Sequence, residues 1–289
     1  MWLRTLCETR EIYTQQPLPK PVHGIARASW KIGVKPILKI VTMVLAKTNG
    51  FVFPGVRKSP WELKRDMLLE LYEKETVVLC RQLIKPGMTV LDIGAHIGYF
   101  TRLFSMLVGT EGKVYAFEPH SENFCLLKTN TARFTNAFLV NKAIADVNGT
   151  DQLFMSNSHA GGHSLFQPVV MLRNHTAFSS LESELVTLDT FWEESGRPSI
   201  DFIKMDIEGA EPRALKGAQQ LLQHNKKLTL ITEFCPANLR AGGTEPEEFL
   251  DLLSSFGFRW AAIGRGGELL PKLPKLEGGN YVNLCCEKH

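Results

Sequence analysis

The chain has 289 residues and a formal net charge of +3, with 44% hydrophobic and 22% charged residues. This composition is typical of a folded globular protein and excludes a wholly disordered chain. The six cysteines form no C-x-x-C pair, so neither a zinc cage nor a dense disulfide framework is predicted, and a reducing, cytoplasmic setting is the simpler expectation.

The N-terminal part is strongly basic. Residues 1–65 carry 12 Lys and Arg against 3 Asp and Glu. The longest apolar run in this part, residues 40–46, is much shorter than the ~18 residues that span a bilayer. We interpret residues 1–58 as a basic extension of the domain that follows. The alternative is peripheral contact with an anionic membrane through residues 27–47. No nucleic-acid-binding module is evident, so nucleic acid is not an expected partner.

From residue 59 onward, helix and strand patterns alternate. A helix is predicted from Ser59 to about Ile84, beginning with a capping box and ending before a Pro-Gly pair. The other predicted elements are strand 89–93, helix 97–108, strand 113–118, helix 121–133, strand 137–144, an irregular stretch 145–185 long enough for small strands of its own, strand 201–206, a helix through Ala214 and Leu222, strand 228–233, a helix after the capping box Thr244–Glu247, and strands 259–263 and 281–286. This alternation predicts an α/β domain over residues 59–289, with a mainly parallel sheet and helices on both faces. Ligands of such sheets bind at the carboxyl ends of the strands.

The most informative segment runs from Asp92 to Thr101, where an acid ends a strand, small residues turn the chain and a helix begins. Gly94 permits a tight turn, and Gly98 permits the helix to pack close to the strand or to a ligand. The helix N-terminus offers N–H groups to a carboxylate, while Asp92 can accept an ammonium group. Glu118 ends the next strand, where a carboxylate can bind both hydroxyls of a ribose. S-adenosylmethionine is a cofactor that carries both an amino acid and a ribose, and we therefore predict it as the ligand of this site.

Three blocks of the sequence resemble the signature blocks of FkbM-type methyltransferases, namely Asp92–Phe100, Phe117–Pro119 and Ile203–Glu211. Residues 141–144 also match, and the resemblance covers roughly residues 75–260. It implies a Rossmann-like class I methyltransferase fold, with a seven-stranded, mainly parallel sheet whose last strand is antiparallel. It also implies S-adenosylmethionine as methyl donor and a hydroxyl of a sugar or another small molecule as acceptor.

The cofactor-binding residues are predicted to follow three strands of the sheet. Those after the first strand are Asp92, Gly94, Ala95, His96 and Gly98. His96 stands where the family usually has Asn, and it either organises the loop or contacts the cofactor. Glu118 is predicted to bind the ribose, and Asn141 and Ala143 are predicted to flank the adenine at the end of the third strand. Asp206 is predicted to lie beside the methyl donor.

Three residues are candidates for the methyl-transfer step. Asp206 is predicted to orient or deprotonate the acceptor hydroxyl, and His163, in the irregular stretch, is a second candidate base. Glu233 ends a strand at the same edge and is predicted to hydrogen-bond a polar acceptor. The structural interpretation of Glu208 and Glu211 is that they stabilise the start of the next helix through its dipole. Paired carboxylates can hold a divalent cation, but too few further oxygen ligands are evident, so no metal is predicted.

Two other classes of function stay open from the sequence. One is a nitrogen methyltransferase acting on protein or small amines, although an Asn/Asp-Pro-Pro-Tyr motif is missing. The other is a non-catalytic, membrane-associated scaffold that binds the cofactor, which Asp92 and Glu118 disfavour because a scaffold needs neither. A nicotinamide oxidoreductase is the least favoured class, because His96 interrupts the G-x-G-x-x-G fingerprint.

Overall fold

The computed structural model describes residues 51–52, 61–156, 163–166 and 178–288. The chain divides into two compact units, Met1–Lys74 and Glu75–His289. Residues 27–47, for which membrane contact is predicted, lie outside the described residues, and the predicted domain boundary after residue 58 stays a prediction. Within the described ranges, no helix combines the length and the apolar character that crossing a bilayer requires.

The first helix is shorter than predicted. Helix α1 spans Trp61–Leu68, and a second helix, α2, spans Lys74–Leu83. Between them, Glu70 and Glu73 have positive φ angles of 56° and 43°. A right-handed helix cannot continue through such residues. The prediction of one continuous helix is therefore wrong, because the apolar periodicity persists across a break that backbone conformation creates.

Strands alternate with helices through most of the second unit. In chain order the strands are β1 (Thr89–Ile93), β2 (Lys113–Phe117), β3 (Ala137–Val140), β4 (Ala143–Ile144), β5 (Gly149–Ser156), β6 (His163–Ser164), β7 (Phe178–Val186), β8 (Phe202–Met205), β9 (Leu228–Phe234), β10 (Arg259–Ile263), β11 (Leu269–Leu270) and β12 (Val282–Lys288). They form an eight-stranded sheet in the order β11-β10-β12-β9-β8-β1-β2-β3, and a separate four-stranded sheet in the order β4-β7-β5-β6.

The large sheet has the predicted α/β arrangement. In the large sheet, the neighbouring strands β3, β2, β1, β8 and β9 are all parallel. Strand β12 runs antiparallel between β9 and β10. The implied seven strands with an antiparallel last strand are thus confirmed, and the two-residue β11 is an additional edge strand. Strand order reverses at β1, since β2 and β3 lie on one side of it and β8 on the other. The ligand crevice of an open parallel sheet is expected at such a reversal.

The helices of this unit cover both faces of the large sheet. They are α3 (Tyr99–Val108), α4 (Ser121–Thr131), α5 (Leu188–Glu194), α6 (Glu211–Lys216), α7 (Gln219–His224), α8 (Pro236–Ala241) and α9 (Pro246–Ser255). Phe104 of α3 packs edge-on against Phe202 of β8, with ring centres 5.8 Å apart. On the opposite face, Phe117 of β2 packs against Phe191 of α5, with ring centres 4.8 Å apart. The predicted helices on both faces are therefore confirmed.

Several helix boundaries differ from the prediction. The helix predicted through Ala214 and Leu222 is two helices, because α6 ends at Gly217. The capping box of α9 is one residue later than predicted, with Glu245 as N-cap and its N–H donating to Glu248 at 3.1 Å. Helices α5 and α8 have seven and six residues, fewer than two turns, which gives too little periodicity to predict them.

The strand predicted over residues 137–144 is also two strands. Strand β3 ends at Val140 in the large sheet, whereas β4 pairs in parallel with β7 in the small sheet. The chain changes sheet over Asn141 and Lys142, a step that its continuous apolar pattern does not reveal. Strands β5 and β7 pair antiparallel from Gly149 to Ser156, so the irregular stretch does contain strands of its own.

Candidate active site

Acidic residues lie side by side at the carboxyl edge of the large sheet. Strands β1, β2 and β8 end in register, and β9 continues the same register beside β8. The next residues in this register are therefore neighbours across the sheet: Glu118, Gly94, Asp206 and Glu233. Glu233 is predicted to end its strand, but β9 continues for one more residue, to Phe234. The N–H of Asp206 donates to the carbonyl oxygen of Ile93 at 3.0 Å, which extends the ladder by one residue. Side chains of one register row project from the same face of a sheet, so the three acids face the same side.

A crevice opens at this edge and encloses about 550 Å³, including solvent at its mouth. Its walls come from the loops after β1, β2 and β8, from residues 142–144, and from the small sheet. The predicted site residues that line it are Gly94, His96, Glu118, Ala143 and Asp206.

A glycine brings the loop after β1 against the loop after β8. Gly94 has a φ of +84°, and a Cβ added at this position would overlap the carbonyl oxygen of Asp206. Only glycine accommodates both the conformation and the close approach. The N–H groups of Gly94 and Ala95 both donate to the carbonyl oxygen of Phe117, at 3.0 and 2.9 Å. The tight turn predicted at Gly94 is confirmed.

The other residues of this loop organise it from within. His96 has a φ of +50°, a conformation in which Asn, Asp and His are enriched, and its N–H donates to Glu118 at 2.8 Å. Gly98 has a φ of +89°, and an added Cβ would lie 2.9 Å from Leu127 of α4. The close approach at Gly98 is therefore to a neighbouring helix, which corrects the expectation of a strand or a ligand. Ala95 is buried beneath the loop and does not line the crevice.

Glu118 is a buried carboxyl group at the crevice wall, with 4% of its surface exposed. Its Oε2 accepts the N–H of His96, and its Oε1 accepts the N–H of His120 at 3.0 Å and Nδ2 of Asn123 at 3.4 Å. Burial raises the pKa of Glu118 to about 7, although these hydrogen bonds lower it. A carboxylate has about four acceptor positions, so one stays available to a ribose hydroxyl. Binding both hydroxyls, as predicted, would require one of the three present bonds to give way.

Asp92 lies behind the crevice and does not line it. It is 1% exposed, and its Oδ2 accepts the hydroxyl of Thr101 at 2.6 Å. Its Oδ1 is buried and has no hydrogen-bond partner among the described residues. Burial raises the pKa of Asp92 to about 6, while Lys204 and Thr101 lower it. Buried polar atoms are normally paired, so the unpartnered Oδ1 is the feature of Asp92 that fits a bound cationic group.

A buried lysine lies near both Asp92 and Asp206. Lys204 is 3% exposed and lies in register with Asp92. Its Nζ is 3.0 Å from Oδ2 of Asp206 and 4.5 Å from the ring centre of Phe100. The side chain of Asp206 is 25% exposed and lines the crevice. Asp206 is thus an accessible carboxylate whose charge a buried lysine stabilises.

Glu208 lines the crevice, although from the sequence it is interpreted only as stabilising the start of the next helix. It has a φ of 55°, its Oε2 accepts Nδ2 of Asn238 at 2.8 Å, and its carbonyl oxygen accepts the hydroxyl of Ser164 at 2.8 Å. Burial, followed by the charges of Asp206 and Glu211, raises the pKa of Glu208 to about 8. The dense charge of the Lys204–Glu211 block is the sequence signal for such a site. The contacts from Ser164 and Asn238 have no sequence signal, because they come from distant parts of the chain.

Two further carboxyl groups lie behind Glu208. Glu211 is buried and accepts the N–H groups of Ile207 at 3.0 Å and Gly209 at 2.9 Å, so it stabilises the turn before α6. Burial raises the pKa of Glu211 to about 7. Glu233 is 8% exposed, does not line the crevice, and accepts no hydrogen bond from a described residue. Burial, together with the neighbouring carboxyl groups, raises its pKa well above the ordinary value.

Asn141 and His163 are the remaining predicted site residues. Nδ2 of Asn141 donates to the carbonyl oxygens of Glu118 at 2.8 Å and Pro119 at 3.0 Å, so it holds the loop after β2 and does not line the crevice. The adenine contacts of Asn141 and Ala143 stay predictions, and of the two only Ala143 lines the crevice. The backbone of His163 pairs with Met155 in the small sheet. The side chain of His163 is outside the described part of the structure, so its role as a base stays a prediction.

The residues present fit S-adenosylmethionine. Glu118 offers a buried acceptor for a ribose hydroxyl, and Oδ1 of Asp92 is a buried oxygen without a partner in the described chain. The far wall carries the carboxyl groups of Asp206 and Glu208, which suit the positive charge of a sulfonium. The crevice therefore provides complementary groups for the nucleoside and for the cationic part of this cofactor.

Comparison with known proteins gives a family match over most of this region. Residues 92–260 match the methyltransferase FkbM domain. One relative is the 2-O-methyltransferase NoeI of Sinorhizobium fredii (strain NBRC 101917 / NGR234), 29% identical over 60% of this chain and 73% of that protein. Another is the 31-O-demethyl-FK506 methyltransferase FkbM of Streptomyces tacrolimicus, 29% identical over 47% of this chain and 61% of that protein. A third is the hexuronic acid methyltransferase AglP of Haloferax volcanii, 24% identical over 73% of this chain and 80% of that protein.

The match runs from the end of β1 to the start of β10, and it includes the acidic edge of the large sheet and the residues that line the crevice. Fold, site and family match agree on the same cofactor and the same type of reaction. The chain belongs to the FkbM family of S-adenosylmethionine-dependent methyltransferases.

Proposed function

We propose that this protein transfers a methyl group from S-adenosylmethionine to a hydroxyl of a sugar or another small hydroxylated molecule. The proposal rests on the partly accessible carboxylate of Asp206. This group lines the crevice where the strand order of the sheet reverses, and it is paired with buried Lys204. The names of the relatives support an oxygen acceptor, because NoeI is a 2-O-methyltransferase and AglP methylates a hexuronic acid.

When bound, the cofactor supplies an electrophilic methyl group and leaves as a neutral thioether. The acceptor oxygen gains the methyl group and loses its proton, which Asp206 takes up as general base. Lys204 contacts Oδ2 of Asp206 at 3.0 Å and so holds the carboxylate in place at the crevice wall, where it can receive the proton. General base assistance of this kind is worth ~10² to 10⁴-fold in rate. Alignment of the two reactants in the crevice contributes on the order of 7 to 11 kcal/mol to lowering the barrier.

The proposed cofactor site has two layers. Gly94, His96, Glu118 and Ala143 line the crevice and are proposed to contact the cofactor directly. Ala95, Gly98 and Asn141 are proposed to hold the surrounding loops in place, and Asp92 to pair with the amino-acid part through its unpartnered oxygen. Glu233 is retained as a candidate to hydrogen-bond a polar acceptor, and His163 is retained as the alternative base.

The test of this proposal is the variant Asp206→Asn. We expect turnover at saturating S-adenosylmethionine to fall by ~10² to 10⁴-fold, while the affinity for S-adenosylmethionine, measured by calorimetry, falls by no more than about tenfold. Turnover is measured with radiolabelled cofactor and a panel of methyl glycosides of neutral sugars and hexuronic acids. Asp251→Asn, an exposed change on α9, is the matched control. Undiminished turnover in Asp206→Asn would move the base to another residue, and His163→Asn would then be examined.

A further inference from the structure

The acceptor side of the crevice has more negative than positive groups. We call the carboxyl groups of Asp206, Glu208, Glu211 and Glu233 the acidic end. Asp206 and Glu208 line the crevice, and Glu233, the penultimate residue of β9, continues the register beside Asp206. Within the described ranges, the cation in contact with the acidic end is Lys204, which pairs with Asp206. The other three carboxyl groups have no cationic partner among the described residues.

Glu233 lacks the partners that a buried carboxyl group normally has, and the half-buried Glu208 has only one. Glu233 is more than nine-tenths buried, yet no described residue donates a hydrogen bond to it, and it projects from the same sheet face as Asp206. Glu208 accepts one hydrogen bond, from Asn238 to Oε2, and no described residue donates to its Oε1. Because proteins rarely bury unpaired acceptors, this arrangement indicates a positively charged ligand at the acidic end.

The chemistry of the site selects the kind of cation. No group of three or more His, Cys, Asp and Glu in the described part of the chain could hold a metal ion. The methyl donor carries a sulfonium charge at the atom that gives up the methyl group, whereas S-adenosylhomocysteine, the product, has a neutral sulfur there. We propose that the acidic end binds the sulfonium of S-adenosylmethionine and so makes this protein bind its donor more tightly than its product. The inference rests on the proposed function only in placing the cofactor in this crevice, and it holds for any acceptor.

The coupling between cation binding and the protonation of these carboxyl groups supports the same inference. Burial and the surrounding acids raise the pKa of Glu208 to about 8, and burial raises the pKa of Glu233 further above its ordinary value. The groups that face Glu208 are Asp206, Glu211 and Glu233, with Lys204 and Asn238 acting in the opposite direction. A bound cation favours the ionised forms, so donor binding should release protons and strengthen as the pH rises. The neutral thioether of S-adenosylhomocysteine has no such effect. Both ligands carry the same amino group, so that group does not distinguish them.

The experiment is isothermal titration calorimetry of the full chain with S-adenosylmethionine and S-adenosylhomocysteine. It is carried out at about pH 6.5 and about pH 8, each in two buffers of different ionisation enthalpy, which measures proton release. At the higher pH we expect the donor to bind about tenfold more tightly than the product, a typical coupling between charged sites. At the lower pH the ratio should shrink by about threefold or more, because Glu208 is then protonated in the free protein.

Variants assign the effect to the acidic end. Glu208→Gln should weaken donor binding by about five- to tenfold and product binding by less than about twofold. Glu233→Gln should act in the same direction, and it serves in place of Glu208→Gln if the strained loop fails to fold. Glu247→Gln, an exposed change on α9, should alter neither affinity.

The outcomes separate this inference from the proposed function. Equal binding of donor and product at both pH values, or an equal loss of both in Glu208→Gln, would overturn the inference while leaving the cofactor site intact. Failure of both ligands to bind would overturn the cofactor site and the inference with it. A donor-to-product ratio that is unchanged by pH and by both variants would mean that the discrimination arises elsewhere in the crevice.

Discussion

At the scale of single residues, Glu118 illustrates a side chain held in position before its ligand arrives. Three donors fix its carboxylate, among them the backbone N–H of His96, whose left-handed conformation directs that N–H toward the loop after β2. A preorganised acceptor loses little conformational freedom when it binds. The same three donors also limit what a substitution can do, because an amide in place of the carboxylate would turn an NH₂ group toward an N–H.

Glu118→Gln tests this arrangement. We expect the affinity for S-adenosylmethionine and for S-adenosylhomocysteine to fall together by about 10- to 100-fold, because the ribose is common to both and a hydrogen bond to a charged group is worth about 1.5 to 3 kcal/mol. Calorimetry measures both affinities, and Glu111→Gln, an exposed change before β2, is the control. A loss confined to one of the two ligands would show that Glu118 does not bind the ribose.

Residue roles follow from the sequence where position alone decides them. Gly94, Glu118 and Asp206 are predictable because each follows a buried parallel strand, and strand ends meet at one edge. Asn141 also follows a strand, but its amide donates to two backbone carbonyl oxygens. The sequence pattern does not predict these hydrogen bonds. Glu208 faces the crevice because of its positive φ, and an ordinary helix-start pattern gives no indication of that conformation.

At the scale of elements, the approach of the β1 loop to the β8 loop creates the switch-point crevice. Gly94→Ala tests how much depends on this approach, and Gly87→Ala is a matched control, since the two glycines have φ angles of +84° and +86° and an added Cβ at Gly87 meets no atom within 4 Å. The control should lower the free energy of unfolding by about 1 to 2 kcal/mol, the cost of a left-handed conformation.

Gly94→Ala should cost more than the control by about 1 to 3 kcal/mol, as overpacking does, because its Cβ would overlap the carbonyl oxygen of Asp206. It should also weaken cofactor binding, since Asp206 and the β1 loop would have to separate. Urea denaturation and calorimetry measure the two effects. Equal destabilisation by both variants would mean that the two loops move apart at no cost.

The elements that sequence predicts well are those whose burial is local in the chain. Strands β1, β2 and β9 are short, mainly apolar segments, and their predicted bounds agree with the structure to within one residue. The errors occur where the backbone changes course without a change in hydrophobic pattern. The break between α1 and α2 depends on positive φ angles, and the step from β3 to β4 depends on which of two sheets receives the strand.

At the scale of the whole molecule, the unusual feature is the number of buried carboxyl groups with raised pKa values. Burial raises the pKa of Asp92 to about 6, and those of Glu118 and Glu211 to about 7. In an unfolded chain these groups titrate near about pH 4. Between about pH 4 and these raised values the folded protein therefore binds more protons than the unfolded chain, and its stability falls as the pH rises.

We expect the free energy of unfolding to decrease from about pH 5 to about pH 8, with each such group contributing up to about 1.4 kcal/mol per pH unit. Urea denaturation at several pH values measures this trend. Asp92→Asn should reduce the slope in the range up to about pH 6, where Asp92 titrates. Stability that is flat or that rises over this range would show that these carboxyl groups are ionised in the folded protein without cost.

The position of β12 has a consequence for how the molecule is completed during synthesis. This strand lies between β9 and β10, although it follows both of them in the chain. As the polypeptide leaves the ribosome, β1, β2, β3, β8 and β9 can assemble into parallel pairs, but β9 keeps an open edge until residues 282–288 have emerged. Open strand edges invite pairing with other chains, so the nascent protein is most exposed to aggregation just before its last strand arrives. The crevice side of β9, which carries Glu233, takes its final form only at that moment.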